Sequence, residues 1–187
     1  MVKIILIGRC CRVSFDMIHL NLKGETSLFE WTWCDRLTEV NFIIQKMINN
    51  EPIKIQRIGG DDYMEGTSIK TSHYLTKNYA EIVSRRASRF MNDIKTNKEI
   101  LFIRDDSMNT ITSEEIQKFY SLINNINPLL SFKMLLLSKE SGFKPIHFPN
   151  LHHKIYSKSK YKTYIMECYE IDNNCNTNTR DISDDES

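Results

Sequence analysis

Three short, mostly apolar runs without alternation constrain the fold most: 3–7 (Lys-Ile-Ile-Leu-Ile), 100–103 (Ile-Leu-Phe-Ile) and 132–137 (Phe-Lys-Met-Leu-Leu-Leu). A strand with one wet face alternates apolar and polar residues. Runs without that alternation are covered on both faces, as in parallel sheets. Between them lie stretches of helical periodicity. Residues 11–22 place Val13, Met17 and Leu20 near one face, ending before Gly24. From Leu37, apolar residues at 37, 40, 43, 44, 47 and 48 follow helical spacing until Asn49-Asn50-Glu51-Pro52. Residues 79–95 carry the clearest stripe: Tyr79, Ile82, Val83, Ala87, Phe90, Met91 and Ile94. Thr112 and Glu115 form a capping box opening a further helix that Pro128 closes.

Strands alternating with helices predict an α/β fold: a three-layer sandwich with a mostly parallel sheet, helices on both faces, and a single domain over 1–172. The tail, 173–187, is rich in Asn, Thr, Asp and Ser without periodicity and is expected to be disordered. Shorter strands are expected at 53–58, 153–157 and 163–169, with a turn at Gly59-Gly60-Asp61-Asp62 and a short strand and loop over Ser27–Trp33; 63–78 is the least regular part.

With 41% hydrophobic and 26% charged residues, the composition is that of an ordinary globular protein. A formal net charge of +1 gives no reason to expect nucleic acid or a membrane surface as partner. The five cysteines make no CxxC pair and no zinc spacing, so free thiols in a reducing intracellular compartment are expected, with no metal and no cofactor. His152-His153 point in two directions and make a poor metal pair. The apolar run after Met1 is too short for a secretory or spanning segment.

In such folds ligands bind beyond the carboxyl ends of the strands. There the sequence places Arg9, Cys10 and Cys11 after the first run, Arg104, Asp105 and Asp106 after the second, and Ser138 and Lys139 after the third. Cys11 is the main candidate. A thiol at a strand-to-helix junction faces free N–H groups and the positive end of the helix dipole, which favour thiolate. A nucleophile of this kind requires a base and an orienting group. His73, in the polar stretch Thr71–Tyr74, is the candidate base. Glu30, Asp61, Asp62, Asp105 and Asp106 are candidates for the third member, with Asp105 favoured because it ends a buried strand. Arg86 lies at the border of its helix's apolar stripe, able to pack its stem and aim its head at a carboxylate or an anionic substrate, whereas Arg85 points away. Trp31 and Trp33 are expected in the core or a pocket wall, on one side of a strand.

Taken in order, Ile7-Gly8-Arg9-Cys10-Cys11, Leu28-Phe29-Glu30-Trp31, His73, Arg85-Arg86-Ala87-Ser88-Arg89-Phe90 and Leu101-Phe102-Ile103-Arg104 resemble the DUF1796 family, described as papain-like cysteine peptidases. That family is similar in its order S-L-G-x-N-C, F-D-W, a lone His, R-R-x-x-R-F and L-F-V-R. The resemblance spans roughly residues 4–138 and implies Cys11 as nucleophile and His73 as its partner, acting on a peptide or other acyl substrate. The chain departs from the pattern at Cys10, where the family has Asn, at Glu30, where it has Asp, and at Tyr74, where Asp is frequent. The third catalytic group stays open on that basis. Around the pair, Arg86, Arg104, Glu30 and Trp31 are the expected substrate-binding residues. A papain topology, with its cysteine on a central helix against a separate antiparallel sheet, is the alternative α+β fold. The competing function is an α/β domain binding an anionic ligand, such as a nucleotide or sugar phosphate, through Arg9, Arg12, Arg86 and Arg104. An interaction protein without activity is a third.

Overall fold

A computed structural model describes residues 2–9, 11–22, 24–71, 78–106, 108, 110–155, 160 and 162–168. Cys10, His73, Tyr74 and the 173–187 tail therefore lie outside the described residues, as does the side chain of Arg12.

The main sheet has four parallel strands in the order β1 (Lys3–Leu6), β5 (Glu99–Asp106), β6 (Ser131–Ser138) and β7 (Leu151–Ile155). A second, antiparallel sheet comprises β2 (Ile55–Ile58), β3 (Asp61–Met64) and β4 (Lys70–Thr71). The helices are α1 (Arg12–His19), α2 (Leu37–Ile48), α3 (Tyr79–Thr96) and α4 (Ser113–Ile126), and residues 162–168 form a short further helical segment.

The apolar strand residues divide between two cores, because successive side chains leave a strand on opposite faces. Ile5, Ile7, Ile100, Phe102, Phe132, Met134 and Leu136 meet the apolar stripes of α2, α3 and α4. Leu6, Leu101, Ile103, Leu135 and Leu137 meet Val13 and Met17 of α1, and Ile165 and Cys168 of the last helical segment. The three apolar runs are thus sandwiched between two helical layers, as a strand without alternation requires. On the first face the packing is largely aromatic: Phe102 lies edge-on to Phe119 at 5.1 Å and to Phe132 at 5.8 Å between ring centroids.

Thr112 caps α4 as expected: its hydroxyl accepts from the Glu115 N–H, and the Glu115 carboxylate accepts from the Thr112 N–H. The same carboxylate also accepts from the backbone N–H (3.0 Å) and the hydroxyl of Thr38, so one side chain ties the first turns of α2 and α4 together. Asn50, at φ +57°, turns the chain out of α2.

Several local expectations are corrected. Residues 162–168 are helical, not a strand, and bury Ile165 and Cys168 against the sheet; a seven-residue stretch is too short for periodicity alone to separate the two. Asp61 and Asp62 belong to β3, leaving Gly59-Gly60 (φ +59° and +91°) as the two-residue hairpin turn. Residues 28–31 form turns, with Trp31 at φ +62°, and only Trp33 bridges to Lys70. Trp31 and Trp33 accordingly do not share a strand face: Trp31 packs edge-on to Phe15 at 5.0 Å, while Trp33 is 48% exposed. No helix among the described residues is long and apolar enough to cross a membrane.

Candidate functional site

Cys11 follows β1 through a turn in which Gly8 and Arg9 both adopt positive φ, +92° and +87°. Glycine enters this region freely; an arginine there is strained by about 1–2 kcal/mol. The turn holds because Arg104 sits beneath it. Arg104 is 0% exposed, and its guanidinium donates to the Ile7 carbonyl oxygen at 2.7 Å (Nη1) and to the Cys34 carbonyl oxygen at 3.0 Å (Nη2). Gly8 is needed for closeness as well as for φ: a Cβ at this position would lie 2.7 Å from Arg104 Nη1 and 3.1 Å from Cys34 Cβ. Arg9 reaches back toward Asp35 at 3.8 Å and lies over the Trp33 ring at 5.9 Å from its centroid.

Cys11 occupies the N-cap position of α1, without a side-chain capping bond, and its carbonyl oxygen accepts from the Phe15 N–H at 3.1 Å. Its sulfur is in no disulfide and is half-buried. Burial raises its pKa above the ordinary thiol value, against a smaller opposing pull from a backbone hydrogen bond. The direction is opposite to the expected depression, because burial favours the thiol over the thiolate.

The three Arg residues of the Arg85–Arg89 cluster part company. Arg85 is exposed, as its angle on the helix predicts, and Arg86 is buried. Arg86 Nη1 donates to the Glu30 carbonyl oxygen at 3.3 Å. Arg89 donates to the Thr26 carbonyl oxygen at 2.9 Å and pairs with Glu25 at 3.0 Å. The next residue, Phe90, lies edge-on to Phe29 at 5.5 Å. One face of α3 therefore pins the 25–30 segment along the edge strand β1. Glu30 is buried there, its Oε2 accepting from the Ser27 N–H at 2.7 Å, and it borders a crevice with Ile4, Leu6 and Met17.

Arg104, Asp105 and Asp106 lie within β5, not after it. Strand alternation sends Arg104 and Asp106 to the face of α2–α4, and Asp105 to the face of α1. Asp105 is buried on the same side of the sheet as the helix that Cys11 opens. Asp106 serves the loop ahead of α4, accepting from the Thr110 N–H (3.1 Å), the Thr110 hydroxyl (3.1 Å) and the Ile111 N–H (3.2 Å). Asp61 is taken up by Lys70 at 2.6 Å, and Asp62 lies 3.8 Å from Arg57. Of the five carboxylates considered as orienting groups, Asp105 is the one whose strand position faces α1.

A second polar group was not foreseen. Ser138 Oγ lies 2.9 Å from His153 Nε2, with Asp106 directly across the strand pair. The set has the residue types of a Ser-His-Asp triad but not its protonation. The Ile146 N–H donates to His153 Nδ1 at 3.0 Å, so that nitrogen carries no proton. The neutral ring's proton is then on Nε2, pointed at Ser138, and the imidazole cannot accept the serine proton. A histidine one residue from another in β7 gave no signal of this in the sequence. Among the described residues no group of three or more His, Cys, Asp or Glu is placed to hold a metal ion.

The chain matches no protein-family model, no curated protein and no solved structure.

Proposed function

We propose that this chain is a cysteine hydrolase of acyl-transfer type, the activity its resemblance to the DUF1796 family implies, built on an α/β sandwich and not on the papain topology. The observation that carries the reading is the setting of Cys11: a half-exposed thiol at the carboxyl end of β1, presented by two consecutive left-handed residues and opening a helix. Backbone strain of this kind is retained where surrounding structure enforces it, and it concentrates at functional sites.

In this mechanism His73 takes the Cys11 proton as the sulfur attacks the carbonyl carbon of an amide or ester. The carbonyl π pair moves to oxygen, where N–H groups at the start of α1 meet the negative charge. Collapse expels the amine or alkoxide, which takes the proton from His73 and leaves a thioester. Water, deprotonated by His73, cleaves the thioester to a carboxylic acid and restores the thiol. Asp105 orients the imidazole. Arg104 and Arg86 act as positioning residues: each spends its guanidinium on main-chain carbonyls of the loops around Cys11. Glu30 and Trp31 shape the substrate side, Trp31 through its contact with Phe15, one turn along α1 from Cys11.

The competing reading, capture of a nucleotide or sugar phosphate by strand-end arginines, is weakened by the same bonds, since Arg104 and Arg86 are buried.

The decisive experiment is the pH profile of Cys11 alkylation, read by mass spectrometry, in wild type and His73→Ala. A thiol that titrates below the ordinary value in wild type and rises when His73 is removed supports the pair. An ordinary or elevated thiol that ignores His73 overturns it.

A further inference from the structure

A separate cavity of about 190 Å³ opens at the carboxyl ends of β5 and β6, on the face opposite α1, and is lined among the described residues by Asp106, Ser138, His153, Lys144, Ile111 and Phe143, with Gly142 and Ile146 completing it. The geometry points to a binding site for a small carboxylate that also carries a hydroxyl or an amine, independent of the Cys11 chemistry.

The protein leaves specific hydrogen-bonding capacity unused in this cavity. Both His153 nitrogens are used internally, Nδ1 by the Ile146 N–H and Nε2–H by Ser138 Oγ. Ser138 thus accepts from the imidazole, and its own hydroxyl hydrogen is left to donate. A carboxylate offers about four acceptor positions, and Asp106 uses three of them on Thr110 and Ile111. Asp106 and Ser138 are register partners on adjacent strands, so one acceptor and one donor stand side by side in the cavity. A ligand hydroxyl satisfies both, and an ammonium satisfies Asp106 with charge assistance.

The exposed Lys144 contributes the cation, and it makes no ion pair among the described residues. A carboxylate a few bonds from the hydroxyl or amine meets it. Ile111, Phe143 and Ile146 supply apolar wall, and Phe143 is held by its ring contact with His153 at 4.6 Å. The volume corresponds to about six waters, which selects a short-chain acid over a nucleotide.

The test is an amide-resolved NMR titration of the full chain with L-lactate and L-alanine, with propionate as the acid that lacks the second group. Saturable shifts at Ser138, Gly142 and Ile146 with lactate or alanine, about tenfold weaker with propionate, are expected; which of the two binds tells hydroxyl from amine. Lys144→Ala, at an exposed position that leaves the fold intact, weakens the response about tenfold, and Cys11→Ser leaves it unchanged. Absence of saturable shifts at millimolar probe, equal binding of propionate, or indifference to Lys144→Ala would overturn the proposal.

Discussion

The guanidinium of Arg104 and the carbonyl of Ile7, 97 positions apart in sequence, meet at 2.7 Å beneath the turn that presents Cys11. A cation at the end of a strand invites assignment to a ligand; this one is consumed by the protein's own main chain. Its removal leaves the Ile7 and Cys34 carbonyls buried without their donor. Arg104→Ala should cost about 3 kcal/mol in urea unfolding, and Arg104→Lys should recover only part, because an ammonium is a point charge and not a two-pronged donor. A substrate-binding arginine would lower activity and leave stability alone.

Gly8→Ala should destabilise by about 2 kcal/mol or more, from its positive φ and from the clash of the new methyl with Arg104. Ala at Gly24, where a Cβ meets nothing within 4 Å, is the control. Chemical denaturation of the two variants reads the difference directly.

The described cysteines should differ sharply in reactivity. Burial raises the Cys34 thiol, despite Arg104 beside it, and pushes Cys168 up to about 11. Both are buried and Cys11 is not. Brief treatment of the native protein with iodoacetamide should label Cys11 and spare Cys34 and Cys168 until denaturant is added, as peptide mapping would show.

His153 should make stability pH-dependent. Burial lowers its pKa, His147 adds to this, and Asp106 opposes it. The folded ring binds its proton less readily than the unfolded one, so the contribution is complete above the unfolded value of about 6.5 and is lost as pH falls toward the lower folded value. Protonation also places N–H against N–H at Ile146. Unfolding free energies measured between about pH 5 and 7 should rise with pH, and His153→Gln should flatten the slope. His152, also shifted down by burial, keeps a remainder.

Glu115→Ala should cost more than Thr112→Ala. The threonine change removes a cap worth about 1 kcal/mol. The glutamate change removes the other half of the box and the tie to Thr38, for about 2 kcal/mol. Thermal unfolding of both variants and of the double variant measures the coupling.

The layers of the fold were legible because Ile100–Ile103 and Phe132–Leu137 lack alternation, and only a doubly covered strand tolerates that. The stripe of α3 and the Thr112–Glu115 box were legible for the same kind of reason: each is a periodic pattern with a local cause. The destination of a long cation is not local. Nothing within β5 says that Arg104 turns toward Ile7 and Cys34, or that Arg86 reaches the Glu30 carbonyl, since the acceptors come from distant segments. The pairing of Ser138 with His153 depends on strand order, and its tautomer depends on a single N–H from the intervening loop. The helix at 162–168 is not legible, because a seven-residue amphipathic stretch fits either period. Cys11 at a strand-to-helix junction was placed correctly, while the direction of its titration followed from burial that sequence does not display.

The pairing of β1 with β5 has a kinetic consequence. Ile4 faces Leu101 in the ladder, and the Arg104 clamp closes a loop of similar size. Contacts this distant in sequence are slow to form and cannot form at all until the second partner has been synthesised. A nascent chain therefore exposes its first apolar strand and its Cys11 thiol while the three helices that precede β5 are already able to fold. Delay before residue 99 would leave that edge open to other strands, and the half-made protein carries a cysteine without the cradle that presents it. On the ribosome, maturation of the thiol should follow the appearance of β5.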